Sequence, residues 1–194
     1  MELDALHEML CSQGKVFLQG IAGIGKSELA KAYAKRYSRE YTNIIYFTYS
    51  GDLKRDIANL DFADDVDDNE TMDARFSRHH RLLRRLQDDS LLIIDNFNTV
   101  TTRDSLLDVV LNYHCRIIFT TRSKFDSYTS MNLEEIADTE ALISLMSCFY
   151  SDAEKQRSVL EQIIQAVHRH TLAVELSARL LETGILEPLP LFFK

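Results

Sequence analysis

Apolar positions fall into short unbroken runs over the first two thirds of the chain and into helical spacing over the last third, with the change of period near Asp138. Leu3, Leu6, Met9 and Leu10 share one face of a helix over residues 3–12. Residues 15–19, Lys-Val-Phe-Leu-Gln, make a compact run of the kind that buried parallel strands use. Leu29, Ala30, Ala32, Tyr33, Ala34 and Tyr37 then predict a helix from Ser27, with side chains small enough to pack closely on a sheet. A second strand is expected over 43–49 and a helix over 75–87, with Phe76, His79, Leu83 and Leu86 inward and Arg78, Arg81 and Arg85 outward. Strands over 91–95 and 116–122 bracket a helix over 102–113, and a fifth strand is expected over 131–137. Beyond it, three apolar stripes predict three helices: Leu142, Leu145, Met146 and Phe149; then Val159, Leu160, Ile163, Ile164 and Val167; then Leu172, Leu176, Leu180 and Leu181. Pro188 and Pro190 close the last. Alternating strands and helices imply an α/β domain over 1–137 with a parallel sheet, and the sustained helical period implies an all-α subdomain over 138–194.

At 194 residues and 45% hydrophobic, the chain can bury a substantial core. Its net charge of −8 argues against general nucleic-acid binding. Cys11, Cys115 and Cys148 are odd in number and set in apolar pattern, so buried reduced thiols and a cytoplasmic setting are expected rather than disulfides or a metal site. No stretch is apolar and long enough to span a bilayer. The acidic run across residues 61–73 reads as a solvated loop, not a metal site.

Chemistry enters at Gly20-Ile21-Ala22-Gly23-Ile24-Gly25-Lys26-Ser27, which fits the phosphate-binding P-loop at every required position. Glycines let the backbone turn its N–H groups on one point, and the helix behind adds its positive pole. Gly20, Ala22, Gly23, Ile24, Gly25 and Glu28 would cradle phosphate, Lys26 would reach the outer phosphates, and Ser27 would ligate Mg2+. Leu91-Leu92-Ile93-Ile94-Asp95 is a buried-strand pattern that delivers a carboxylate to the ligand edge of a parallel sheet, which makes Asp95 the candidate Walker B acid and second magnesium ligand. Thr120, Thr121 and Arg122 would emerge beside it, hydroxyls and guanidinium placed to sense a γ-phosphate. Asn96 occupies the place where many hydrolysing P-loop proteins carry an acid. An amide cannot act as the base, though it can position water, so slow hydrolysis is compatible with the sequence and fast turnover is not.

In order, GIAGIGKS, LLIIDNF, RIIFTTRS and HTLAVELSARLL resemble the NB-ARC group of STAND nucleotide switches, across nearly the whole chain. The resemblance implies a five-stranded parallel sheet with the P-loop strand central, a helical subdomain closing over the nucleotide, ADP held at rest and ATP on activation. It implies that Arg122 reads the γ-phosphate and that the segment Arg169-His170-Thr171-Leu172 lies at the adenine, with Thr171 standing where the family usually has proline. It further implies a core cut from a longer protein, with sensing and effector domains or protein partners elsewhere and nucleotide-dependent self-association as one output. Two other readings fit the same residues: an AAA+-like ATPase or P-loop kinase working as a true enzyme, and an interaction scaffold that has given up nucleotide.

Overall fold

A computed structural model gives the fold and describes residues 2–62, 70–99, 104–125 and 127–186. The elements are α1 (Glu2–Gln13), β1 (Lys15–Gln19), α2 (Lys26–Arg36), a 3-10 turn at Ser38–Glu40, β2 (Asn43–Thr48), α3 (Leu53–Ala58), α4 (Met72–Leu83), β3 (Ser90–Asp95), α5 (Leu107–Leu111), β4 (Arg116–Thr121), β5 (Ser130–Asn132), α6 (Thr139–Ser147), α7 (Arg157–Ala166) and α8 (Thr171–Glu182). They form two compact units, Met1–Gly20 with Lys26–Asn132, and Ile21–Gly25 with Leu133–Lys194.

The first unit is built on a five-stranded sheet of order β2-β3-β4-β1-β5, every neighbouring pair parallel. This is the α/β architecture of a P-loop NTPase. The middle strand is β4, however, and β1 lies second from an edge, because the three-residue β5 adds outside it. Register pairs Gln19 with Thr121 and Thr48 with Asp95, so the ends of β1 to β4 meet at one edge of the sheet. β3 is buried along its whole length, whereas the edge strand β2 exposes Ile44 and Tyr46. Beneath the sheet Phe17 stacks on Phe119 and Phe125, with ring centroids 4.4 and 4.5 Å away. Such offset aromatic contacts add to the area-driven gain of burial.

Several elements depart from the pattern-based expectation. α3 is absent from the expected elements; Asp52 caps it by accepting from the N–H groups of Lys54 and Arg55, and Leu53 and Ile57 are buried. α4 starts and ends about a turn early because the Thr71 hydroxyl caps it through Ala74 N–H. α5 keeps only five residues. Asp104 holds the chain in a turn ahead of it, accepting from Leu53 N–H and Leu106 N–H at 2.9 Å and from the Tyr49 hydroxyl at 3.0 Å. The fifth strand stops at Asn132 because its partner β1 ends at Gln19. Residues 102 and 103 of the expected helix, Pro188 and Pro190, and Asp64, Asp65, Asp67 and Asp68 of the acidic run lie outside the described residues. Of that run, Glu70 pairs with Arg78 at 2.6 Å and Asp73 with Lys54 at 2.8 Å. No cluster of three or more metal-ligating side chains occurs among the described residues.

The second unit has its own core, centred on Leu142, Met146, Leu160, Ile164, Val174 and Ala178. Its last helix is rotated from the expected face: Leu181 of the expected stripe is buried, together with Val174 and Ala178, while Leu172, Leu176 and Leu180 are exposed. The small Ala178 and branched Val174 suit a close helix–helix approach, and the longer leucines are left outside. Cys115 alone of the three thiols is buried, its pKa pushed by burial up to about 11; Cys11 and Cys148 sit on exposed helix surface. No helix among the described residues is long and apolar enough to cross a membrane.

Replacing Phe17 by Ala removes a ring packed between Phe119 and Phe125 and is expected to cost about 3–5 kcal/mol in urea unfolding. The exposed Leu180→Ala should change stability by less than about 0.5 kcal/mol in the same assay.

Candidate functional site

The site begins where β1 runs into glycine. Lys26, the first residue of α2, donates from Nζ to the Gly20 carbonyl at 2.9 Å, so the ammonium is folded over the start of the loop. Burial lowers its pKa first and the charge of Arg122 lowers it further. Two cations, one at the start of α2 and one just past β4, therefore share one neighbourhood, an arrangement that an anion relieves. Among the described residues the exposed Arg122 guanidinium has no carboxylate partner.

Asp95 ends β3 at the same edge, only 8% exposed. The Ser27 hydroxyl donates to its Oδ1 at 2.6 Å and the Thr120 hydroxyl to the same oxygen at 2.6 Å. Burial alone would raise the carboxyl pKa, but hydrogen bonds from Ser27, Thr120 and Tyr46 outweigh it and hold the pKa below its ordinary value. A serine hydroxyl in contact with an ionised aspartate is a hard-oxygen donor set suited to a small divalent cation such as Mg2+. Gln19, buried at the end of β1, has a side-chain nitrogen with no hydrogen-bond partner, a donor available to an acceptor-rich ligand. The fit to a magnesium–phosphate group thus rests on residues of this one unit.

The threonines of β4 are used differently from expectation. Thr120 Oγ1 also accepts from Asn96 N–H at 2.8 Å, and the Thr121 hydroxyl donates to the Phe97 carbonyl at 2.6 Å. Both hydroxyls thereby tie β4 to the turn after β3. Asn98 extends the tie: its Oδ1 accepts from Arg122 N–H at 2.7 Å, and its Nδ2 donates to Asn96 Oδ1. Asn96 itself is left-handed, with φ 59°, a conformation that Asn tolerates better than most residues.

The tip of the loop, Ile21–Gly25, groups with the second unit. There His170 is the N-cap of α8, its Nδ1 accepting from Ala173 N–H, and its Nε2 is 2.7 Å from the Ala22 carbonyl. Acceptance at one ring nitrogen fixes the proton on the other, so Nε2–H donates to Ala22. Leu172 N–H donates to the Gly23 carbonyl at 3.2 Å. Gly23 has φ +74°, and a Cβ there would lie 2.7 Å from the His170 ring and 2.8 Å from Leu172 Cβ, so glycine is required twice over. Ile24 is buried, Thr171 Oγ1 is buried without a partner, and Leu172 is 43% exposed. Glu28 is exposed and pairs with Lys31. Tyr46 and Asn98 were not legible as site residues, since each acts through register or a turn and neither belongs to a spaced motif; His170 lies in the segment that the resemblance marks, but its capping of α8 and its bond to Ala22 were not legible.

Residues 2–144 match the family model of the NB-ARC domain. No curated protein sequence matches. Among solved structures, "Structure of Drosophila ORC bound to DNA" superposes with a TM-score of 0.57 at 15% identity, over 95% of this chain and 62% of that one. "Crystal structure of DNA replication initiation factor" gives 0.56 at 12% identity, over 93% and 59%. The chain spans about three fifths of the length of these solved chains, and at such identities the likeness is one of fold.

An aspartate with a depressed pKa adds stability that is present above about pH 3.9 and is lost as pH falls through the folded-state value. The gap in urea midpoint between the wild type and Asp95→Asn is therefore expected to shrink as pH drops below about 4. A gap that stays constant down to about pH 2.5 would contradict the depressed carboxyl.

Proposed function

The chain belongs to the NB-ARC family and is a nucleotide-binding NTPase module, and from that premise we propose that it is an ATP/ADP switch with slow hydrolysis. The observation that carries this reading is the 2.6 Å contact of Ser27 with Asp95, joined at the same sheet edge by Lys26 and Arg122. In the proposed complex, backbone N–H groups of residues 22–28 hold the phosphates and Lys26 leaves the Gly20 carbonyl for their outer oxygens. Ser27 would hold Mg2+ directly and Asp95 directly or through water, and the ion would supply neutralisation of phosphate charge. Arg122 distinguishes ATP from ADP because only ATP carries the γ-phosphate. Thr171 and Leu172 are the proposed contacts for the base. Nucleotide state would then bias the arrangement of the helical subdomain, the two domains being 1–137 and 138–194, and would pass to protein partners, further domains or a second copy in a signalling pathway in the cytoplasm.

A fast ATPase or kinase is less well supported. No acid follows Asp95, and one of the arginines available on α4, Arg78, is already paired with Glu70.

Isothermal titration of nucleotide-stripped protein tests the reading. Lys26→Ala should abolish measurable binding of both nucleotides, and Arg122→Ala should weaken a non-hydrolysable ATP analogue at least about tenfold while leaving ADP within about twofold. Equal losses for both nucleotides in Arg122→Ala would remove its γ-phosphate role. Protein that carries no nucleotide and takes none up would instead favour the scaffold.

A further inference from the structure

Asn96 holds the position from which a P-loop enzyme activates water, and which half of its amide faces outward decides what it can do there. The neighbouring hydrogen bonds settle that orientation. Arg122 N–H is a backbone donor, so the Asn98 atom 2.7 Å from it must be the carbonyl oxygen. The other half of Asn98, its NH2 group, then faces Asn96 and requires an acceptor, which fixes Asn96 Oδ1 on that side. The acceptor oxygen of Asn96 is therefore turned toward Asn98. Its Nδ2 hydrogens have no acceptor among the described residues, and the side chain is exposed. The backbone adds to this fixity: Asn96 N–H is held by Thr120 Oγ1 at 2.8 Å and Phe97 N–H by the Thr120 carbonyl at 2.7 Å.

A group that orients a nucleophilic water by taking up its proton needs a free acceptor, whereas phosphate oxygens need donors. From this orientation we infer that Asn96 donates its side-chain NH2 to the γ-phosphate of ATP, and that Asn98 is the positioning residue that keeps the carbonyl turned away. The inference rests on the nucleotide-switch reading above and deepens it. Because Asn98 hangs on the backbone of Arg122, the amide of Asn96 and the guanidinium of Arg122 are set by one turn and respond to one phosphate. Slow hydrolysis then has a second cause besides the missing carboxylate: the acceptor of the amide faces Asn98 and its donors face the phosphate.

Asn98→Asp tests this. The introduced carboxylate can accept from Arg122 N–H but has nothing to donate, so Asn96 must turn its amide over, give its NH2 to that carboxylate and present its carbonyl to the phosphate. Affinity for AMP-PNP with Mg2+ is expected to fall about tenfold, with ADP affinity changing less than about twofold. The new negative charge alone could weaken ATP, so the same substitution is made in an Asn96→Ala background. The expected result is that the effect on the AMP-PNP to ADP affinity ratio disappears there. An effect of equal size in both backgrounds, or an unchanged ratio in Asn98→Asp alone, overturns the role of Asn96 while leaving the switch reading standing. Wild-type protein that binds neither ADP nor AMP-PNP overturns both. As a readout apart from affinity, the side-chain NH2 signals of 15N-labelled Asn96 should shift with AMP-PNP and not with ADP, and Asn98→Ala should broaden them.

Discussion

One buried carboxylate oxygen organises the ligand edge of the sheet. Asp95 Oδ1 accepts from Ser27 at the start of α2 and from Thr120 at the end of β4, and Tyr46 on β2 supports the same group. A lone charge at this depth would be costly, and its stability depends on those hydroxyls. The requirement runs both ways. Thr120 must be β-branched to suit a buried strand and must carry a hydroxyl to reach Asp95, and it uses that hydroxyl twice, donating to the carboxylate and accepting from Asn96 N–H. A valine of the same shape would satisfy the strand and leave both polar partners without a match.

The same edge reverses the sign of the surrounding chain. The protein carries a net charge of −8, yet Lys26 and Arg122 lie close enough for one to depress the pKa of the other. Mutual repulsion between cations is a standing cost in the free protein that a polyphosphate removes, so part of the binding energy is stored in the arrangement itself. On the proposed reading such a site would also discriminate by charge, a ligand with one more phosphate meeting one more cation.

Legibility followed the range of the interaction. The P-loop, the run ending in Asp95 and the run ending in Thr-Thr-Arg could be read because each is a local pattern whose chemistry sits at the end of a strand, and parallel strands bring such ends together. What could not be read depended on partners distant in sequence. Asp104 shortens α5 by capturing Leu53 N–H across the fold, β5 ends where β1 does, and the helix register of α8 is set by what Val174 and Ala178 fit against, not by where leucines recur. The same holds for function. The hydroxyls of Thr120 and Thr121 looked free to sense phosphate, but the Asp95 carboxylate at the end of β3 and the backbone of the turn after it engage them.

That turn also explains why an amide suits position 96. Its left-handed backbone admits Asn or Asp, so conformation does not choose between them. Charge and hydrogen bonding do. An aspartate there would stand next to ionised Asp95 and would raise the cost of keeping both deprotonated, whereas Asn96 accepts from Asn98 without adding charge. The neutral residue therefore leaves undisturbed the low carboxyl pKa that the Ser27 and Thr120 contacts produce, and it carries no base of the kind fast hydrolysis would need. The constraint that stabilises the sheet edge thus favours a neutral side chain at position 96 and leaves no carboxylate base after Asp95, the combination expected of the proposed switch and not of a motor.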